Sequence, residues 1–188
     1  MDATPDDQQL MLRLQSGEDA ALNLIMTRWQ IPLLRFIQRY VGNPEQALDL
    51  AQETFVRVYQ NRRSFRPGGK FSSWLFTIAS NLCHNYIRWE HRHPTTSLAR
   101  DADAIDTLPS LERIPSDRAE QNEMARCVQA SIQSLPHDLK TTVLLFEYED
   151  LSYEEIAGVL DCSPKAVETR LYRARKILRE KLERFAVR

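Results

Sequence analysis

The chain has 188 residues, of which 43% are hydrophobic and 27% charged, with a formal net charge of −1 at pH 7. That length holds one or two domains with packed cores, and five glycines with few alternating runs point to an all-α protein. No apolar run nears a membrane span, the acidic start MDATPDDQQL is not that of a signal peptide, and the scattered Cys83, Cys127 and Cys162 suit reduced thiols in a cytoplasm.

Residues 6–92 read as a first helical block. An amphipathic helix from about Asp6 to Gln15 stops at Ser16–Gly17. A longer helix follows from about Asp19 to Tyr40, and Pro32 inside it is expected to kink or split it. Gly42–Asn43–Pro44 breaks the chain before a third helix from about Pro44 to Arg62. On that helix Leu48, Ala51, Phe55, Val58 and Tyr59 share an inward face, while Asp49, Gln52, Glu53, Val56 and Gln60 gather on a neighbouring one. The second face is polar and acidic with one apolar centre. It suits basic groups on a protein partner, and an ordinary solvated face fits it as well.

After a loop over Ser64–Lys70, a helix from about Phe71 to Arg92 carries Phe71, Trp74, Leu75, Ile78, Leu82, Tyr86 and Trp89 as an apolar stripe, with Trp74, Ile78 and Leu82 assigned to the core. Thr77, Asn81, His84 and Arg88 share another face. With Phe65 and Phe76 nearby in sequence, these groups suit unpaired bases and a phosphate backbone, or else a plain polar surface. His84, His91, His93 and Cys83 offer no sound metal site. Two of the histidines stand two apart, Pro94 ends the segment, and no acid–base pair or phosphate loop accompanies them.

Residues 93–120 read as a linker. Pro94, Pro109 and Pro115 interrupt any helix, and Asp101, Asp103, Asp106, Glu112 and Asp117 make the segment acidic. Residues 121–188 form a second block. Helices from about Asn122 to Ser134 and from Pro136 to about Tyr148, with Val143, Leu144 and Phe146 inward, buttress the segment LSYEEIAGVLDCSPKAVETRLYRARKIL. Here Ser152 and Glu155 form a capping box, and Ile156, Val159 and Leu160 give an apolar face. The helix ends at Asp161–Cys162, and Ser163 and Pro164 then start a second helix. Val167, Leu171, Ala174 and Leu178 turn inward, whereas Lys165, Glu168, Thr169, Tyr172, Arg173 and Lys176 fall on the opposite side. Residues 163–188 carry roughly nine basic side chains against three acidic ones. This is the layout of a helix-turn-helix whose second helix enters a DNA major groove; a helical hairpin with a solvated basic face is the alternative.

Taken in order, NPEQALDLAQETFVRVYQNRRSF, KFSSWLFTIASNLCHNYIRWEHR and LPHDLKTTVLLFEYEDLSYEEIAGVLDCSPKAVETRLYRARKIL resemble the polymerase-binding, −10-reading and −35-reading segments of the small two-domain extracytoplasmic-function sigma factors of bacterial RNA polymerase. The resemblance implies an all-α chain of two domains, region 2 over 6–92 and region 4 over 121–188. It implies that Asp49, Gln52 and Glu53, with Val56, grip the clamp helices of the largest polymerase subunit. Asn81 would help hold a flipped −10 base and Phe65 would wall its pocket, beside Thr77, His84 and Arg88. Thr169, Tyr172 and Arg173 would enter the −35 groove with Lys165, Glu168 and Lys176, while Arg170 and Arg175 at the edges meet phosphate or acidic neighbours.

Glu168 departs from the Lys or Arg common in the family. A carboxylate there can accept from cytosine N4, or pair with Arg175 or Tyr172. The resemblance further implies a monomer without cofactor, catalytic residue or small-molecule substrate. Its partners would be promoter DNA, the clamp helices and flap of core RNA polymerase, and an anti-sigma factor. Its location would be the cytoplasm, or the inner membrane face through that factor. The linker would thread the RNA exit path, and no extra C-terminal domain is expected. A stand-alone helix-turn-helix regulator would leave the Asp49–Glu53 and Asn81 faces without a role, and would need a dimer and a palindromic site.

Overall fold

A computed structural model describes residues 5–93 and 118–186, and every regular element among them is helical. The first domain contains α1 (Asp7–Gln15), α2 (Ala20–Val41), α3 (Pro44–Gln60) and α4 (Phe71–Arg92), with a 3-10 turn over Arg62–Ser64 before α4. The second contains α5 (Arg118–Gln133), α6 (His137–Glu147), α7 (Tyr153–Val159) and α8 (Pro164–Ala186). The linker expected over 93–120 falls mostly outside the described residues. Of its ends, His93 caps α4 and α5 opens at Arg118, a few residues before the expected start.

Local chemistry sets the helix ends. The Asp6 side chain accepts from the Gln9 backbone N–H while Gln9 reaches back to the Asp6 N–H, closing a capping box on α1. Asn43 accepts from the N–H groups of Glu45 and Gln46, and Pro44 fills the first position of α3, where no donor is missed. Pro32 does not split α2, which runs unbroken from Ala20 to Val41. That helix ends at Gly42, whose φ of 78° only glycine adopts without strain.

The first domain closes around aromatic side chains. Phe36 and Phe76 meet at 5.0 Å between ring centroids, Trp29 tilts against Phe71 and Phe76, and Phe65 lies 5.4 Å from Trp74. Each ring removed from water adds about 1.5–3 kcal/mol. In the second domain Val143, Leu144 and Leu145 of α6 meet Ile156 and Val159 of α7 and Val167, Leu171 and Ala174 of α8, all buried.

The two domains also pack on each other: α2 lies against α5 and α6, and α4 against α7. Across this seam the Tyr40 hydroxyl and His137 Nδ1 are hydrogen-bonded, and the His84 and His137 rings stand 4.0 Å apart. Lys140, 4% exposed, holds its ammonium 4.8 Å from the centre of the Tyr40 ring. The Arg39 guanidinium sits 4.1 Å over the Tyr148 ring, and Gln129 donates to the Arg39 carbonyl. Lys70 reaches Glu155 at 3.0 Å.

Candidate functional site

The residues expected at three helix faces are only partly exposed, and each face differs in detail from expectation. On α3, Asp49, Gln52 and Val56 are exposed, and Glu53 is half-buried with Arg57 Nε 2.6 Å from its carboxylate. Leu48, expected inside, is 51% exposed, and Val56, about two turns further along the helix, is 45% exposed. The buried arc of this helix is Ala47, Ala51, Thr54, Phe55 and Val58, so Leu48 falls just past its edge. Thr54, whose hydroxyl donates to the Leu50 carbonyl, is the buried polar residue that shifts the arc. The result is two apolar side chains framed by carboxylates, a surface fit for a basic, partly apolar helix.

On α4, Asn81 and Arg88 are exposed, while Thr77 is half-buried with its hydroxyl donating to the Ser73 carbonyl. The two aromatic residues expected to meet bases are both inside: Phe65 is 4% exposed and Phe76 is 0%. Their apolar rings have more to gain from Phe71, Trp74 and Phe36 than from water, so they floor the face rather than furnish it. The core face of α4 is Phe71, Leu75, Phe76, Ala79, Ser80 and Cys83. The expected stripe of Trp74, Ile78 and Leu82 is only partly buried, and Trp89 is 48% exposed.

His84 is half-buried because its ring lies on His137 of the second domain. Cys83 is fully buried, which pushes its thiol up, and His93 stacks on Trp89 instead. These side chains do not converge, and no group of three His, Cys, Asp or Glu among the described residues is placed to hold a metal.

The helix-turn-helix follows its caps. Ser152 Oγ accepts from the Glu155 N–H, the Glu155 carboxylate accepts from the Ser152 N–H, and Ser163 Oγ accepts from the Ala166 N–H. The turn passes through Asp161 at φ 47°, a left-handed conformation that Asp tolerates better than most residues. Lys165, Glu168, Thr169, Tyr172, Arg173 and Lys176 are all exposed, Tyr172 by 71%. Glu168 pairs with Lys165 at 2.6 Å, not with Arg175 or Tyr172.

Arg170 and Arg175 turn to acidic neighbours on α6. Arg170 reaches Asp138 at 2.9 Å and Cys162 Sγ at 3.1 Å, and Arg175 reaches Glu147 at 2.7 Å. Of the two expectations for Arg170, phosphate or an acidic neighbour, the structure shows the second, and the residue is a half-buried brace between α8, α6 and the turn rather than an exposed DNA contact.

Residues 25–93 match the family Sigma-70 region 2, and residues 125–178 match Sigma-70, region 4. The chain is 36% identical to the ECF RNA polymerase sigma-E factor of Haemophilus influenzae, over 94% of this chain and 95% of that one. It is 37% identical to the RNA polymerase sigma-H factor of Pseudomonas aeruginosa, over 94% of each. Among solved structures, CnrH in complex with the cytosolic domain of CnrY superposes with a TM-score of 0.71 at 25% identity, over 94% of this chain and 97% of that one. The sigma factor RpoE of Bartonella quintana, solved with the anti-sigma factor NepR, shares the fold with a TM-score of 0.64 at 21% identity, over 86% of this chain and 96% of that one. With both regions matched in order, and relatives more than a third identical along nearly the whole chain, the chain belongs to the sigma-70 family of RNA polymerase sigma factors, in its extracytoplasmic-function group.

Proposed function

We propose that this chain is a dissociable initiation factor that docks on core RNA polymerase through α3, captures melted −10 DNA along α4 and reads the −35 duplex with α8. The observation that carries this reading is the α8 face. A capped helix-turn-helix presents Thr169, Tyr172, Arg173 and Lys176 to solvent, while the remaining arginines of that stretch are held by Asp138 and Glu147. Lys165, Arg173 and Lys176 supply phosphate neutralisation, and Thr169 and Tyr172 supply hydrogen bonding to base edges. On α3 the docking contacts are Asp49, Gln52, Glu53 and Val56, with Leu48 added by its exposure.

On α4, Asn81 is free to hydrogen-bond an extruded base, and Arg88 is placed for the backbone. Phe65 supports this face from below. His84 meets DNA only after α6 moves off it, so engaging the −10 strand and parting the two domains are one event. No catalytic step, cofactor or small-molecule substrate enters this reading, and the factor acts as a monomer. Domain boundaries follow the helices, with region 2 ending at α4 and region 4 starting in α5.

A protein that covers these faces would hold the factor inactive. CnrH, the solved neighbour at 25% identity, was captured with the cytosolic domain of CnrY, which supports a partner of that kind here. None of the described helices is long and apolar enough to cross a membrane. The reading places the factor in the cytoplasm, with membrane attachment only through such a partner.

The test is run-off transcription with core polymerase on promoters from the source genome. Stimulation on a subset of promoters is expected, and none on any would end the reading. Asn81→Ala should slow open-complex formation while leaving core binding intact; unchanged opening would remove the base-holding role.

A further inference from the structure

The turn between α3 and α4 is held from a helix far away in sequence. Gln15 is the last residue of α1 and is half-buried. Its Nε2 donates to the Arg62 carbonyl at 2.7 Å and to the Phe65 carbonyl at 2.9 Å. One side-chain amide thus places both its protons on the two ends of the turn, where the Phe65 N–H also closes onto the Arg62 carbonyl. Gln8, two turns back along the same side of α1, donates to the Gly69 carbonyl at 3.4 Å.

This turn joins the docking helix to the −10 face. On its α3 side, Arg62 Nη1 donates to the Tyr59 carbonyl, and the guanidinium lies 4.2 Å from the centre of the Tyr59 ring. On its α4 side, the Phe65 ring stands 5.4 Å from Trp74 and 6.1 Å from Phe71. Trp74, Thr77 and Asn81 recur at steps of three and four residues, so Phe65 packs at the head of the row that leads to Asn81. Phe65 is 4% exposed, main chain included, and a buried carbonyl without a donor is costly. Gln15 supplies the donor. Apolar contact alone has no direction, whereas two hydrogen bonds fix both the height and the rotation of the turn.

We infer that Gln15 is a positioning residue for promoter opening: it clamps the Arg62–Phe65 turn and so fixes where the Asn81 row stands relative to the docking helix α3. The residue touches neither DNA nor polymerase. It acts through Phe65, so that docking on α3 delivers Asn81 to a set place on the strand. This inference rests on the promoter-opening function proposed above.

The experiment compares wild-type, Gln15→Met, Gln8→Met and Asn81→Ala chains, and Gln15→Met combined with Asn81→Ala, each as holoenzyme. Methionine keeps the length and shape of glutamine and removes the donor. Opening is read by permanganate reactivity of thymines in the bubble, with core affinity and melting temperature measured separately. Gln15→Met should lower the open fraction about tenfold with core affinity unchanged. In the Asn81→Ala background it should add little, because both changes act on one contact. Gln8→Met, at an exposed position whose loss does not unfold the domain, should give a smaller defect in the same direction.

Normal opening by Gln15→Met where Asn81→Ala is defective overturns the clamp alone. A loss of core affinity equal to the loss of opening overturns it as well, and so does full additivity with Asn81→Ala, since both are what a general loosening of the domain produces. Should Gln15→Met be unfolded at the assay temperature, Gln8→Met decides: normal opening by that variant refutes the clamp. Failure of the wild-type chain to drive any promoter removes the parent reading and the clamp with it.

Discussion

The rings of His84 and His137 lie 4.0 Å apart and 31° from parallel, one on the first domain and one on the second. The first belongs to the face proposed for −10 DNA and the second opens α6, the helix that buttresses the −35 reader. The same His137 also meets the Tyr40 hydroxyl, so one imidazole ties α2, α4 and α6 together.

That position makes the seam pH-sensitive in two opposing ways. Burial pushes His137 down to about 4, helped by His84, Lys140 and Arg170 and opposed by Asp138. Released, it returns toward 6.5, so the unpacked state binds more protons between about 4 and 6.5 and this group's share of stability is lost as pH falls through that window. Burial pushes Glu149 up to about 7, with Asp150 adding and Arg39 and Arg35 opposing. Its packed state therefore binds more protons between about 4.5 and 7, and its share is lost as pH rises. Melting temperature followed from pH 4 to 8 should rise through pH 4–6.5 in Glu149→Gln and fall through pH 4.5–7 in His137→Gln. Parallel profiles in the two variants would show that these groups do not set the dependence.

Gly42 should resist substitution for two reasons. Its φ is 78°, and a β-carbon built there would stand 1.9 Å from Gln133 Nε2 of α5. Gly42→Ala should cost about 1–3 kcal/mol by denaturant unfolding, from backbone strain plus displacement of Gln133. Gly68, also left-handed, has open space around its missing side chain. Gly68→Ala should cost less, and the difference measures the contact with α5.

Asp49→Ala with Glu53→Ala should weaken core-polymerase binding about tenfold and leave affinity for −35 duplex unchanged. Leu48→Ala should weaken core binding without altering the salt dependence, because it removes apolar area rather than charge. Equal losses of core and duplex binding in the double variant would refute the assignment of this face.

The arginines of α8 should separate into braces and readers. Arg170→Ala should lower stability by about 1 kcal/mol through loss of Asp138 and Cys162, with little change in the salt slope of duplex binding. Arg173→Ala should leave stability alone and reduce that slope by about one. Glu168→Gln frees Lys165 and removes a like charge facing phosphate. Overall duplex affinity should rise while discrimination at the base pair it meets falls by about 1–3 kcal/mol, measured on a panel of single-base promoter variants.

Much of this was legible in the sequence because helix ends are local chemistry. Ser152 with Glu155, Ser163 with Pro164 and Asn43 with Pro44 each announce a start that depends on no distant residue. The α8 face was legible for the same reason, its spacing separating Val167, Leu171 and Ala174 from Thr169, Tyr172 and Arg173.

What escaped depends on long-range packing. Phe65 and Phe76 stand near Asn81 in sequence yet point into the aromatic core, which nearness along the chain cannot reveal. Leu48 looked buried because an apolar residue at the edge of a stripe is ambiguous until the opposing helix is placed. The covering of His84 required knowing where a residue more than fifty positions away would lie.

Glu155 divides its two oxygens between two tasks. Oε2 accepts from the Ser152 N–H and closes the capping box of α7, while Oε1 faces Lys70 of the first domain. The tie to Lys70 is open to solvent on one side, with the lysine side chain 68% exposed and the glutamate side chain 15%, so salt screens it from the lysine end. When the domains separate, the carboxylate lets go of its neighbour with one atom and keeps hold of its own helix with the other. The DNA reader can be uncoupled without being unmade.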